Sequence, residues 1–123
     1  MSDSDKRWPS SVYDQGDEPD PRFSLANERT FLAWVRTTLA LLAGSAAMDA
    51  LILPMPARLQ RAIAVLLAVV ALFTGVQAWL GWARTERAMR TGRPLPSNRA
   101  GLPIAIAVSV VALVLALATM LRA

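Results

Sequence analysis

Residues Leu102 to Leu121 run without a single charge, and Ser109 and Thr119 are the only polar side chains among them. A hydrocarbon core of ~30 Å is crossed by ~20 helical residues at ~1.5 Å each. Inside a bilayer only helices and closed barrels satisfy their own backbone hydrogen bonds. This stretch therefore predicts a membrane-spanning helix, entered through Gly101 and with Pro103 in a first turn that tolerates it. Two further apolar blocks precede it, Phe31 to Leu53 and Ala62 to Trp82. Arg36 and Asp49 lie near the two ends of the first, where a long arginine side chain can reach the headgroup layer. Pro54 and Pro56 end that block, and Trp79 and Trp82 mark the end of the second as an interfacial aromatic belt. A soluble chain of 123 residues, 54% of them hydrophobic, could not bury three such blocks. The expected fold is all-α, an integral membrane protein with three transmembrane helices at about 31–53, 62–82 and 102–121.

Residues 1–22 differ from the rest. They hold Asp3, Asp5, Asp14, Asp17, Glu18 and Asp20 against Lys6, Arg7 and Arg22, with Pro9, Gly16, Pro19 and Pro21 among them. Such a segment buries too little to offset its ordering entropy, and it reads as a disordered acidic tail ahead of a membrane domain at 23–123. Ser24, after Pro21, is the expected N-cap of the first helix. The tail is too long and too acidic for the short basic start of a secretory signal. Arginine counting sets the orientation. The tail side and the 83–101 loop hold nine of the 13 Lys and Arg residues, against Arg58, Arg61 and Arg122 on the other side. The N-terminus is expected in the cytoplasm and the C-terminus outside, in a multi-pass plasma (inner) membrane protein.

The composition excludes much chemistry. No cysteine and no histidine occur, which removes thiol nucleophiles, imidazole bases and the usual zinc and haem ligands. No phosphate-cradling glycine loop and no nucleophile elbow is present. Glu28 and Asp49 lie at opposite ends of one helix and cannot share a substrate atom. The expectation is a protein that is not an enzyme, with no catalytic residue, metal or cofactor. Five arginines against Glu86 in residues 83–101 give a basic loop beside apolar blocks. That arrangement points to anionic lipid headgroups or another phosphate-bearing polyanion as partner, and not to nucleic acid.

Helical spacing sharpens the site. Arg29, Ala33, Arg36, Ala40, Ala43 and Ala47 follow one another at three and four residues, so they share one face. Two readings stay open for it: close helix packing through small residues, or a pathway face, since intramembrane charges face protein or water. Thr74, Gln77, Gly81, Arg84 and Arg87 form a polar stripe on the second helix. Antiparallel packing brings Arg84 and Arg87 level with Glu28, Arg29 and Arg36. Glu28 is therefore expected in a structural ion pair with Arg84 or Arg87. Arg29, Arg36, Arg84 and Arg87 are the candidate anion- or lipid-binding residues.

The segment Asn27-Glu28-Arg29-Thr30-Phe31-Leu32-Ala33-Trp34-Val35-Arg36-Thr37 resembles the signature of the YidH-like family, domain of unknown function 202. These are small bacterial inner-membrane proteins with three helices, and the resemblance covers nearly all of residues 22–123. The architecture is more distantly similar to the small membrane subunit of the vacuolar transporter chaperone complex, which passes polyphosphate across a membrane. The resemblance implies that Glu28 and Arg29 match that subunit's motif, and that Arg84 or Arg87 falls near its basic second-helix end. Two functions are carried forward. One is a non-catalytic homo-oligomeric membrane scaffold or accessory subunit with an arginine cluster for anionic lipid or phosphate. The other is an anion- or polyphosphate-conducting pore subunit.

Overall fold

The computed structural model describes residues 7–96 and 100–121. Asp3, Asp5 and Lys6 of the tail, Arg99 of the loop and Arg122 at the C-terminus lie outside the described residues. Four helices follow one another: α1 (Ser10–Tyr13), α2 (Pro21–Ala50), α3 (Ala57–Thr91) and α4 (Gly101–Leu121). Among the described residues there is no strand. Helices α2, α3 and α4 are each long and apolar enough to cross a membrane.

The last helix begins and ends within a residue of the sequence expectation, α3 overruns it at both ends, and α2 starts ten residues ahead of its expected span and stops at Ala50, three short of it. Helix α2 starts at Pro21 because Asp20 accepts a hydrogen bond from the Arg22 N–H at 2.9 Å, with Pro21 preset for the first turn. Asp20, not Ser24, is the N-cap, and Ser24 turns its hydroxyl elsewhere. Helix α3 runs on past Trp82 to Thr91 and stops at Gly92, whose left-handed φ of 69° is a natural helix end. Its 35 residues would span roughly 50 Å at ~1.5 Å each. The final turns of α3 therefore stand beyond a hydrocarbon core of ~30 Å.

Helices α2 and α3 form an antiparallel hairpin that holds most of the protein's internal contact. Thr38 and Thr74 share a 2.6 Å hydroxyl contact, and Ser45 donates to the Ala64 carbonyl at 2.7 Å. Leu41, Met48, Ile63, Leu67 and Ala71 make the apolar core of the seam. Gly44 faces Leu67 and Gly75 faces Thr38 closely enough that an added Cβ would sit 3.4 and 3.7 Å from them. Small residues and hydroxyls let two membrane helices approach and exchange hydrogen bonds where water supplies none. At the short turn, Gln60 donates to the carbonyls of Met48 and Leu51, satisfying the end of α2. Among the described residues the α4 backbone lies against α3 and not against α2, while its Val111 side chain joins the seam core that includes Leu41 and Met48.

The tail expectation needs correction for residues 7–20. They are not a free tail: they fold back across the end of α3 as a strap. Val12 is fully buried against Trp82 and Ala83, Trp8 stacks on Trp79, and Tyr13 tilts onto Trp82. Gly16 takes a left-handed φ of 51° and lies on the Arg90 carbonyl, which any Cβ there would strike. The Asp17 N–H then donates to that carbonyl at 2.8 Å. The buried Val12, the half-buried Tyr13 and the ring stacking of Trp8 give the strap contacts enough to order it.

Candidate anion site at the arginine-rich end

The strap, the start of α2 and the end of α3 meet at one end of the hairpin. Its centre is a buried carboxylate that sequence reasoning passed over. Glu86 is 3% exposed and accepts from the Ser24 hydroxyl at 3.0 Å and the Asn27 amide at 3.5 Å. The same amide donates to the Trp82 carbonyl at 3.0 Å. Among the described residues no cation makes a salt bridge to Glu86. Its spacing from Ala83 and Arg90 along α3 was the available signal, since those positions share the face turned to the strap.

Arg90 is the second missed residue. It is 6% exposed, and its guanidinium donates to the carbonyls of Tyr13 at 2.9 Å and Gln15 at 3.1 Å and pairs with Glu18 at 3.1 Å. The planar fork of arginine suits such a cluster of oxygens. Arg7 pairs with the other oxygen of Glu18 and lies over the Tyr13 ring at 4.4 Å. The hydrogen bond from Arg7 holds the Glu18 carboxyl below its ordinary value, with Arg90 adding to the effect. Burial, and next the Glu86 charge, push the Tyr13 phenol above its ordinary value.

The expected site residues are arranged differently from the sequence expectation. Glu28 is exposed and makes no ion pair with Arg84 or Arg87 within the chain. The face of α2 that packs on α3 is the one carrying Ser24, Asn27, Thr38, Leu41, Ser45 and Met48. Arg29, Ala33, Arg36, Ala40, Ala43 and Ala47 are all exposed. The arginine stripe is thus bare of other helices. On α3 the polar stripe divides. Thr74 is buried on Thr38, while Gln77, Gly81 and Arg84 line a cavity of about 340 Å³ between α2, α3 and the α3–α4 connection. Arg84 also borders a shallower recess of about 510 Å³ with Arg87 and Arg93. The end therefore carries two exposed basic surfaces, one on each helix, around a buried and uncharged-partner carboxylate. That arrangement has the charge to hold anions, and among the described residues it contains no group of three or more acidic, histidine or cysteine side chains that could hold a metal ion.

A hairpin of two spanning helices, a loosely attached third and a basic rim define a small multi-pass membrane protein. Residues 22–88 match the family described as "Domain of unknown function (DUF202)". Over 102 residues the chain is 42% identical to inner membrane protein YidH of Escherichia coli K12, covering 80% of this chain and 87% of that protein. It is 45% identical over 99 residues to an uncharacterized protein of Mycobacterium tuberculosis H37Rv, covering 79% of this chain and 80% of the relative. The chain belongs to the DUF202 family of YidH-like membrane proteins. No solved structure matches it. The match spans α2 and nearly all of α3, the same stretch that carries the hairpin and its buried polar centre.

Proposed function

We propose that the chain is a non-catalytic scaffold or accessory subunit of the inner membrane, a homo-oligomer whose cytoplasmic arginines hold anionic headgroups or phosphate. The observation that carries this reading is the bare face of α2. Arg29 and Arg36 stand exposed on it, two turns apart, and neither α3 nor α4 covers them. An arginine toward the centre of a spanning helix costs about 2.5–3.5 kcal/mol against hydrocarbon on insertion scales. Such side chains turn to protein, to water or to the headgroup layer. A second copy of this chain supplies protein cover, and Ala33, Ala40, Ala43 and Ala47 admit a close approach. Glu28 then has the cations of a neighbouring copy within its reach. The arginine asymmetry sets the N-terminus and the α3–α4 connection in the cytoplasm and the C-terminus outside.

The chain has no cysteine, so Ala40→Cys gives a clean crosslinking probe on that face. Disulfide-linked dimers are expected in native membranes, and a chain that stays monomeric would remove the oligomer. Reporter fusions at the N-terminus and near Arg93 should read cytoplasmic, and one after Ala123 external. The arginines at one end also favour a second reading, the mouth of a pore for anions or polyphosphate. The far half of the stripe offers only Ala40, Ala43 and Ala47, with no polar group to continue a path, so the scaffold is preferred. Phosphate or polyphosphate flux from proteoliposomes that Arg36→Ala abolishes would reverse that preference.

A further inference from the structure

The 340 Å³ cavity between α2, α3 and the α3–α4 connection has a polar mouth and an aromatic floor. Arg84, Thr85 and Gln77 stand on its wall, and none of them makes a side-chain hydrogen bond or ion pair with a described residue. Asn27 is on the wall as well and is only 7% exposed. Both of its amide donors are used, one on the Trp82 carbonyl and one on Glu86. Its carbonyl oxygen has no partner among the described residues. An unmatched buried acceptor costs about 1–3 kcal/mol, and this residue lines a cavity large enough to hold a donor. Trp34 and Phe73 also line the cavity and give it apolar wall.

We propose that this cavity seats the headgroup of a membrane phospholipid whose phosphodiester carries a hydrogen-bond donor beyond the phosphate, as ethanolamine and glycerol headgroups do. The proposal rests on the reading that the arginine-rich end holds phosphate-bearing groups, and it names the class and the seat. The phosphate oxygens meet the Arg84 guanidinium. The ammonium or hydroxyl donors meet the Asn27 carbonyl. The glycerol backbone and first methylenes lie on Trp34 and Phe73. The volume suits a headgroup and is at the small end of ordinary ligand sites. The wall combines Thr30 and Trp34 of α2 with Pro103 of α4, so a lipid seated there would lie between these two helices. Free phosphate would satisfy Arg84 and leave the Asn27 oxygen unmatched.

Gly81 allows a test that leaves the charge alone. It lies on the cavity wall, and a Cβ added there meets nothing within 4 Å. The full chain, purified in mild detergent, is examined by native mass spectrometry with added phosphatidylglycerol, phosphatidylethanolamine, phosphatidylcholine or inorganic phosphate. The first two lipids should be retained about tenfold better than phosphatidylcholine, which lacks the donor. Arg84→Gln should lower their retention about tenfold. Gly81→Leu should do the same by filling the space, whereas Gly81→Ala should leave it unchanged. If Arg84→Gln weakens retention and Gly81→Leu does not, headgroups sit on the outer arginine surface; the broader reading then stands and the cavity proposal falls. If neither variant matters, the cavity proposal falls, and the broader reading is left to the exposed Arg29 and Arg36. Equal retention of phosphatidylcholine, displacement of lipid by an equal concentration of inorganic phosphate, or a Gly81→Leu variant that changes oligomeric mass and not lipid retention would each overturn the headgroup assignment.

Discussion

Helix α3 is held by two different kinds of attachment along its length. Through the apolar span it is held by α2, with hydroxyls, small side chains and a few leucines: Thr38 on Thr74, Ser45 on Ala64, Leu41 against Leu67. Beyond Trp82 it is held by the strap, with Arg90, Glu18 and Arg7 and a stack of tryptophans. The surroundings account for the difference. Ion pairs near water cost little to solvate and can be plentiful, while hydrocarbon leaves room only for neutral groups that satisfy one another. Asn27 and Glu86 lie where the two regimes meet, and a neutral amide there links the carboxylate to the helix backbone.

Separate attachments should fail separately. Arg90→Ala removes the donor of two strap carbonyls and should cost about 3 kcal/mol of strap docking, with the exposed Glu18 partner adding little. Hydrogen exchange should show protection lost over residues 10–17 while the hairpin melts at an unchanged temperature. A hairpin that loosens with it would mean the two attachments are one. Asn27→Leu strips hydrogen bonds from both Glu86 and Trp82 and should destabilise the hairpin and the strap together by about 2 kcal/mol in a detergent unfolding titration. Thr74→Val keeps the shape and removes one hydroxyl. It should cost about 0.6 kcal/mol of hairpin stability, the usual worth of an interhelical membrane hydrogen bond, and leave the strap untouched.

Acid should act weakly at two places, the Glu18 pairing of the strap and the Asp20 cap of α2, whose hydrogen bonds to Arg22 also hold its carboxyl below the ordinary value. The carboxyl of Glu18 titrates below its ordinary value of 4.5 in the folded chain. Its contribution is therefore fully present above that value and fades as pH falls through the lower folded one. The group is largely exposed, so the effect stays under ~1 kcal/mol. Fluorescence of the stacked Trp8 and Trp79 between neutral pH and pH 3 should report the loosening, and Glu18→Gln should abolish the pH response.

The three spans were legible because hydropathy and length alone define them, and α4, which has little else, was read almost to the residue. Helix α3 at both ends and α2 at its start reach beyond the apolar blocks, since hydropathy sees the bilayer and not the helix, while α2 ends three residues before its block does. The turns at 21–30 and 83–91 are helical through an Asp20 cap, a proline at the first position and good helix formers, in segments too polar to register as spans. Spacing places Arg29 and Arg36 on one face of α2 and Arg84 and Arg87 near the end of α3, but it does not say which acids those helices bury. Glu28 drew attention as an acid on a spanning helix, whereas Glu86 looked like one acid outvoted in a basic loop. Only the packing shows that Glu86 faces inward and Glu28 outward. The strap was misread because net composition hides three well-placed apolar side chains, Trp8, Val12 and Tyr13.

The seat of Gly16 on the Arg90 carbonyl has a consequence for the order in which the molecule is made. The strap leaves the ribosome before α3 does, and its docking surface is assembled more than seventy residues later. Until α3 has threaded the bilayer and returned its end to the starting side, Val12 has no apolar bed and Gly16 no carbonyl to lie on. A segment made ahead of the hairpin is thus seated only after it. Its docking reports that two crossings have been completed in the correct sense, since an odd number would leave strap and α3 end on opposite faces of the membrane.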